Sequence, residues 1–281
     1  MTRKFAVIGH PIGHTMSPFI HKELFKLQNI EVQYSVFDIH PDNLSTEIHN
    51  TLGELQGFNI TIPHKETIIP LLDSIDESAL KYNAVNCVLR KNNKLYGCST
   101  DAFGFTKALE NDEISLSGNV LVLGSGGAAR TLAREAADRG CHVTLAVRES
   151  GINKAEHLKK WLCDNGGTAD ICTLDKIQGE YDLLINATPV GMYPNPDVCP
   201  VTEQQLKCCK AVFDAVYNPE KTLLLKMADR NNIKTVGGMS MLVWQAVKAH
   251  EFWYDAEFDP REIEKIITRA NLEMERIFYA K

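Results

Sequence analysis

The chain has 281 residues, of which 44% are hydrophobic and 23% charged, and its 30 Lys and Arg against 36 Asp and Glu give a net charge of −6. This composition is typical of a folded globular protein and excludes a mostly disordered chain. The acidic balance, without a basic stripe, argues against nucleic-acid binding. The length predicts about two domains or one large α/β unit.

No segment predicts a membrane span or an export signal. The apolar runs are shorter than the roughly 18 residues that a span needs. The first of them, Phe5–Ile8, stops at Gly9 and is too short for the core of a signal peptide. The eight cysteines include no Cys-x-x-Cys pair, so we expect reduced thiols without zinc. These features predict a cytoplasmic protein.

The first half of the chain alternates strands with helices. Ser17 and Pro18 are predicted to begin a helix that ends near Leu27, with Ser17 as its N-cap. A polar helix is predicted after Pro41. Strands are predicted at 5–9, 34–38, 57–62, 83–89 and 95–98. The order strand, helix, strand, helix, strand predicts a mostly parallel sheet.

The second half has the layout of a doubly wound nucleotide-binding domain. After a helix near 102–109, strands are predicted at 119–123, 142–147, 181–186, 211–214 and 233–236. The helices that follow Ser240 have no strands of their own, so we expect them to pack on the N-terminal domain. The predicted α/β fold therefore has two domains. Residues 1–105 with 238–281 form the substrate domain, and 106–237 form a Rossmann-type NADP-binding domain.

A glycine-rich turn directly follows the apolar strand 119–123. It contains Gly124, Gly126, Gly127 and Ala128 and leads into a helix. Such a turn lets the backbone approach a pyrophosphate, and the helix N-terminus offers free N–H groups to it. An ordinary glycine turn is the alternative, but the strand before it and the helix after it favour dinucleotide binding.

The residues after the next strand bear on the choice of dinucleotide. Arg148 favours the extra phosphate of NADP, whereas Glu149 would repel it. We predict NADP, and NAD remains open.

Two ionisable residues near the predicted strand ends are candidates for proton transfer. Lys65 and Asp101 each follow a strand, where polar groups face the ligand crevice of an α/β sheet. Oxidation of an alcohol needs a group that takes the hydroxyl proton, and a lysine beside a carboxylate suits this role. The alternative is that both are ordinary surface charges.

Small hydrogen-bonding side chains lie near the same strand ends. They suit a polyhydroxylated carboxylate, although caps and turns use the same residue types. They are Thr15, Ser17, Asn59, Thr61 and Asn86. His10 and His14 are four residues apart, but Pro11 and Gly13 disfavour the helix that would align the two rings, so no metal site is predicted.

Taken together, the motifs resemble the shikimate dehydrogenase family over nearly the whole chain. Seven segments carry the resemblance in order: residues 9–18 (GHPIGHTMSP), 59–65 (NITIPHK), 84–86 (AVN), 100–104 (TDAFG), 186–192 (NATPVGM), 214–219 (DAVYNP) and 241–245 (MLVWQ). Seven ordered motifs are far more specific than one glycine turn.

The resemblance implies an enzyme that interconverts 3-dehydroshikimate and shikimate with NADP(H). Its substrate is a hydroxylated cyclohexene carboxylate. By position, Lys65 and Asp101 would be the acid–base pair, and Thr15 and Ser17 would hold the carboxylate. The ring hydroxyls would be held by Asn59, Thr61, Asn86, Asp101 and Gln245. Tyr217 would line the substrate pocket, and Thr188, Met192 and Gly238 would lie near the nicotinamide.

The sequence departs from the family pattern at several of these motifs. Thr15 replaces a serine, Cys87 a threonine and Ser99 an asparagine. Only Arg148 remains of an Asn-Arg-Thr cofactor triplet, and Ser240 replaces a glycine after Gly238. These departures leave quinate or an aminoshikimate-like substrate open, as well as a binding protein without turnover. The sequence also leaves the oligomeric state open, a homodimer included.

Overall fold

The structure is a computed structural model that describes residues 2–13 and 15–279. His14, considered above for a metal pair, lies outside the described residues. The strands are β1 Arg3–Gly9, β2 Val32–Asp38, β3 Gly57–Ile60, β4 Ser74–Ile75, β5 Cys87–Lys91, β6 Lys94–Cys98, β7 Asn119–Leu123, β8 His142–Val147, β9 Thr168–Thr173, β10 Leu183–Asn186, β11 Ala211–Asp214 and β12 Lys234–Gly237.

The helices connect these strands. They are α1 Ser17–Leu27, α2 Leu44–Glu47, α3 His64–Thr67, α4 Glu77–Tyr82, α5 Asp101–Asn111, α6 Gly127–Asp138, α7 Ile152–Asp164, α8 Glu203–Leu206, α9 Leu223–Arg230, α10 Gly238–Tyr254 and α11 Pro260–Phe278. Short 3₁₀ turns occur at Pro41–Asn43, Ile69–Leu71, Glu149–Gly151 and Leu174–Lys176. Within 2–13 and 15–279, no helix is both long enough and apolar enough to cross a membrane.

The chain divides into two compact units, so that α10 and α11 each contribute to both. The first unit is Met1–Thr100 with Gln245–Ala270, and the second is Asp101–Trp244 with Asn271–Lys281. Helix α5 belongs to the second unit because Phe105 packs edge-on against Phe213, with ring centroids 4.9 Å apart. The division predicted from the sequence places 1–105 and 238–281 in one domain and 106–237 in the other. It differs from these units by a few residues and in the end of α11. This functional division stays a prediction.

The first unit contains a six-stranded sheet in the order β2-β1-β3-β5-β6-β4. Strand β1 runs parallel to β2 and β3, whereas β5 is antiparallel to both of its neighbours. The middle of β1, from Phe5 to Ile8, is buried, and its side chains pack alternately into two hydrophobic clusters. The prediction of a mostly parallel α/β sheet is confirmed.

The second unit contains a fully parallel sheet in the order β12-β11-β10-β7-β8-β9. Its first strand, β7, lies in the middle, and successive strands are added outward on either side of it. This is the doubly wound order of a Rossmann fold, whose ligand crevice lies where the strand order reverses. Residues Val120 to Leu123 are fully buried, as expected for a strand covered on both faces.

Two local predictions were wrong. Met16 is the N-cap of α1 and Ser17 is its first residue. The predicted strand 83–89 begins only at Cys87, because Asn83 ends α4 in the left-handed conformation with a φ of 50°. An asparagine tolerates this conformation, which ends a helix and excludes a strand.

A buried histidine pair connects α1 with α10 in the first unit. His21 Nδ1 lies 3.1 Å from His250 Nε2, and His250 Nδ1 lies 2.9 Å from Gln28 Oε1. The Gln28 oxygen can only accept, so His250 carries its hydrogen on Nδ1 and accepts at Nε2 the hydrogen of His21. Burial lowers the pKa of both imidazoles, that of His250 from 6.5 to about 3. Both rings are therefore neutral at neutral pH.

We predict that the free energy of unfolding falls as the pH drops below 6.5 toward 3. In this range the histidines become protonated in the unfolded chain but stay neutral in the folded protein. His250 alone should contribute a loss on the order of 2 kcal/mol by pH 5. Urea unfolding at a series of pH values measures this, and His250→Gln should flatten the dependence. The exposed His49 provides the control His49→Gln. Equal pH slopes in the wild type and His250→Gln would contradict the assignment.

Candidate active site

The segments after β1 and β3 lie against each other in the first unit. The backbone N–H of Thr61 donates to the carbonyl of Ile8 at 2.9 Å. A Cβ atom at Gly9 would lie 2.5 Å from the Thr61 Cγ2 methyl, so this approach requires glycine at the end of β1. The half-buried Thr61 is thus held beside the end of β1.

Asn86 joins the ends of three strands. Its Oδ1 accepts the backbone N–H of Thr100 at 2.8 Å, and its Nδ2 donates to the Thr100 hydroxyl at 3.0 Å. Its own carbonyl accepts the N–H of Ile60 at 2.9 Å, and Asn59 Nδ2 approaches the same carbonyl at 3.5 Å. Asn86 is 5% exposed and Thr100 is fully buried. Two predicted site residues, Asn59 and Asn86, are therefore brought together.

Lys65 and Asp101 are both tied to this network through the backbone. The carbonyl of Lys65 accepts the N–H of Val85 at 2.8 Å, and Val85 directly precedes Asn86. Asp101, 4% exposed, is the first residue of α5 and directly follows Thr100. Lys65 belongs to the first unit and Asp101 to the second.

Thr15 and Ser17 form a hydroxyl pair at the start of α1. The Thr15 hydroxyl donates to Ser17 Oγ at 3.1 Å and accepts the Ser17 backbone N–H at 3.2 Å. Because Ser17 Oγ accepts in this pair, the pair does not use the single hydrogen of the Ser17 hydroxyl. The pair therefore offers a donor at a helix N-terminus, which favours an anionic ligand.

Asp38 anchors the loop that carries this pair. Its carboxylate accepts His10 Nδ1 at 2.6 Å and the N–H of Ile12 at 3.4 Å. The hydrogen bond to His10 lowers the pKa of the Asp38 carboxyl below its ordinary value. The anchor holds the beginning of the loop at the end of β2. Gln245, on α10, is half-buried in the same unit.

The second unit forms the glycine turn between β7 and α6. Gly124 has a φ of 104°, and a Cβ there would lie 3.0 Å from Thr188 Cγ2, so this position needs glycine. At Gly126 and Gly127, in contrast, a Cβ would meet nothing within 4 Å. Gly126 is the N-cap of α6 and provides no side-chain cap. The N–H groups of the first turn, including that of Ala128, are left for a ligand.

A buried carboxylate fixes the loops after β10 and β11. Asp214 accepts Asn186 Nδ2 at 2.9 Å, the N–H of Val216 at 3.0 Å and the Thr222 hydroxyl at 2.6 Å. Burial raises the pKa of Asp214 to about 6 despite these donors. Asn186 Oδ1 in turn accepts the hydroxyl of Thr188 at 2.7 Å. Thr188 is therefore held at the strand ends beside Gly124.

The other predicted residues of the second unit have different surroundings. Arg148 and Glu149 are exposed just after β8, and Met192 is 44% exposed. Gly238 begins α10, where a Cβ would lie 2.5 Å from the Ala215 carbonyl. Tyr217 is half-buried, and desolvation raises its pKa.

Sequence reasoning missed Asp38 and Tyr34, whose hydroxyl donates to Asn59 Oδ1 at 2.7 Å. Both lie on β2, which was predicted, but nothing in the pattern indicates which neighbour their polar atoms reach. Within 2–13 and 15–279, no three His, Cys, Asp or Glu side chains are grouped as a metal site would require.

The chain was compared with known proteins. A profile described as the shikimate dehydrogenase substrate binding domain matches residues 7–88. The shikimate dehydrogenase (NADP(+)) of Clostridium perfringens strain 13 is 40% identical over 266 residues, which cover 93% of this chain and 96% of that protein. This chain belongs to the shikimate dehydrogenase family. The resemblance inferred from the seven motifs is confirmed.

Solved structures of family members extend the comparison. The shikimate 5-dehydrogenase of Thermus thermophilus in complex with NADP(H) and shikimate is 32% identical, with a TM-score of 0.85 and coverage of 96% of this chain and 100% of that one. The Listeria monocytogenes enzyme in complex with shikimate and NAD is 28% identical, with a TM-score of 0.84 and coverage of 95% and 96%. The two-domain α/β architecture is confirmed.

The different environments of Gly124 and Gly126 predict different effects of alanine. Gly126→Ala should leave the melting temperature nearly unchanged, because its φ is −80° and the Cβ meets no protein atom, and should weaken dinucleotide binding about tenfold or more by occupying the phosphate space. Gly124→Ala should lower stability by about 1 kcal/mol or more because of its positive φ. Thermal unfolding and dinucleotide titration measure both. Unchanged binding in Gly126→Ala would place the phosphates elsewhere.

Proposed function

We propose that this chain is a shikimate dehydrogenase that reversibly reduces 3-dehydroshikimate to shikimate with NADP(H). The reaction belongs to the shikimate pathway, which leads to chorismate and the aromatic amino acids. The observation that carries the proposal is that Lys65 and Asp101 are both neighbours of one buried pair, Asn86 and Thr100. The Lys65 carbonyl accepts the N–H of Val85, which precedes Asn86, and Asp101 directly follows Thr100. This arrangement occurs in a chain of which 93% matches the Clostridium perfringens relative and 96% the Thermus thermophilus structure.

Lys65 and Asp101 form the acid–base pair of the proposed reaction. In the oxidative direction, the amine of Lys65 takes the proton of the substrate hydroxyl, and in the reductive direction its ammonium returns it. The carboxylate of Asp101 orients the same hydroxyl by accepting a hydrogen bond. Positioned acid–base groups of this kind contribute about a hundredfold or more to the rate.

The small polar residues hold the substrate in register with this pair. Thr15 and Ser17 bind the carboxylate, for which the start of α1 provides a favourable dipole. The ring hydroxyls are bound by Asn59, Thr61, Asn86, Asp101 and Gln245, and Tyr217 lines the pocket. Amide and hydroxyl side chains suit this role because each both donates and accepts.

The second unit binds the cofactor. The residues fit a dinucleotide, because Gly126 and Gly127 leave open space before an uncapped helix. Gly124, Gly126, Gly127 and Ala128 bind the pyrophosphate through backbone N–H groups. Thr188, Met192 and Gly238 face the nicotinamide side. Bound NADP supplies the hydride acceptor, or the donor in the reverse direction.

Arg148 selects NADP through its guanidinium, which pairs with the 2′-phosphate. Because Glu149 is exposed beside it, its charge weakens this preference, and the complex of the Listeria monocytogenes relative with NAD keeps NAD as an alternative cofactor. The alternative substrates are quinate and an aminoshikimate-like compound, motivated by the added methyl group of Thr15. A dinucleotide-binding protein without turnover is the alternative outside the enzymes. The cytoplasmic location and the homodimer stay predictions.

Nicotinamide absorbance during oxidation of shikimate and quinate, each with NADP and with NAD, tests the proposed activity. The measure of specificity is the ratio of kcat/KM values between substrates. We expect kcat/KM to be highest for shikimate with NADP. A preference for quinate or for NAD would move the assignment to a relative within the family. Absence of turnover with every pair would favour the binding protein.

Lys65→Ala tests the acid–base role. We expect kcat to fall about a hundredfold or more with a smaller change in KM, because the proton transfer is lost in the transition state. Lys91→Ala, which removes an exposed lysine at the end of β5, is the control. Turnover near the wild-type rate in Lys65→Ala would remove Lys65 from the mechanism.

A further inference from the structure

Tyr34, on β2, reaches across β1 to Asn59, a residue of the proposed substrate site on β3. In the sheet register, Tyr34 of β2 lies beside Phe5 of β1, and Asn59 of β3 lies beside Val7 of β1. Phe5 and Val7 are two residues apart, so Tyr34 and Asn59 project from the same face of the sheet. The Tyr34 hydroxyl reaches diagonally over β1 and donates to Asn59 Oδ1 at 2.7 Å.

This hydrogen bond determines which end of the Asn59 amide faces a ligand. An amide has one accepting oxygen and one NH₂ group with two donors. Tyr34 occupies the oxygen, and the Asn86 carbonyl lies 3.5 Å from Nδ2. A second N–H of Nδ2 is then available to a substrate oxygen. Without the Tyr34 hydroxyl, only the long 3.5 Å contact of Nδ2 with the Asn86 carbonyl opposes a half-turn of the amide that would present its oxygen instead.

The Tyr34 ring is itself held rigidly. It stacks on the ring of His21, with centroids 4.6 Å apart and planes 10° from parallel. His21 is fixed by its hydrogen bond to His250, which is fixed by Gln28. All three rings are buried, and Tyr34 is 9% exposed. A chain of contacts therefore runs from α10 through α1 and β2 to Asn59 on β3.

We propose that Tyr34 is a positioning residue, which orients the Asn59 amide so that it offers a hydrogen-bond donor to a ring oxygen of the substrate. The proposal rests on the proposed function for the identity of the substrate. Asn59 binds that oxygen in both the ground state and the transition state, so Tyr34 acts on substrate affinity rather than on the chemical step. This separates its effect from that of Lys65.

Kinetics of Tyr34→Phe, Asn59→Ala and the double variant test the proposal, because Phe keeps the ring and its stacking on His21. We expect Tyr34→Phe to raise KM for shikimate about tenfold, the usual size of one lost hydrogen bond, with kcat within about twofold. In the Asn59→Ala background, Tyr34→Phe should add nothing further. Tyr96→Phe, which removes the hydroxyl of a half-buried tyrosine on β6, is the control. Full additivity of the two single effects would overturn the proposal.

A second readout needs no substrate. The side-chain NH₂ signal of Asn59 in ¹⁵N NMR should shift in Tyr34→Phe and stay in place in Tyr96→Phe, with equal melting temperatures in all three proteins. An unchanged Asn59 signal in Tyr34→Phe would overturn the positioning role. If the wild type does not turn over shikimate but the signal shifts, the proposed function fails while the orientation of Asn59 by Tyr34 stands.

Discussion

The hydrogen bonds between Asn86 and Thr100 are the interaction on which the proposed substrate site depends. Asn86 directly precedes β5 and Thr100 follows β6. The Asn86 side chain bonds both the backbone N–H and the hydroxyl of Thr100 in a buried position. A buried amide with this many partners is costly to disturb, because any lost partner leaves a polar group unpaired in the interior. This buried pair helps to position Lys65, whose carbonyl accepts the N–H of Val85 next to Asn86. It also helps to position Asp101, which directly follows Thr100.

The two units present different kinds of polar group at the ends of their strands. In the second unit, an all-parallel sheet places backbone N–H groups and a helix N-terminus at the carboxyl ends of its strands. Glycines keep that region free of side chains. In the first unit, the reversed strand β5 brings Asn86 beside the end of β3. The proposed cofactor site is therefore built mainly from backbone, whereas the proposed substrate site is built from side-chain amides and hydroxyls. This difference matches a phosphate ligand on one unit and a hydroxylated ring on the other.

The sequence predicts the elements that rest on local pattern, such as the apolar strand β7, the glycine turn and the order of strands. It does not reveal α4, which has six residues from Glu77 to Tyr82, because less than two turns gives no periodicity to read. It also misplaced the cap of α1, because Ser17 uses its hydroxyl to accept from Thr15 rather than to cap. The contact of Tyr34 with Asn59 depends on sheet register across β1, which the sequence does not contain.

The register also separates the departures from the family pattern by what they contact. Cys87 is fully buried opposite Cys98 and packs in a core cluster with Phe5 and Trp253. A thiol is more compatible with such apolar surroundings than a threonine hydroxyl, which would need a partner there. This departure therefore serves packing. Thr15 and Glu149, in contrast, are not buried. Under the proposed function, a change in specificity would therefore arise from Thr15 at the substrate carboxylate or from Glu149 at the 2′-position of the cofactor, and not from Cys87.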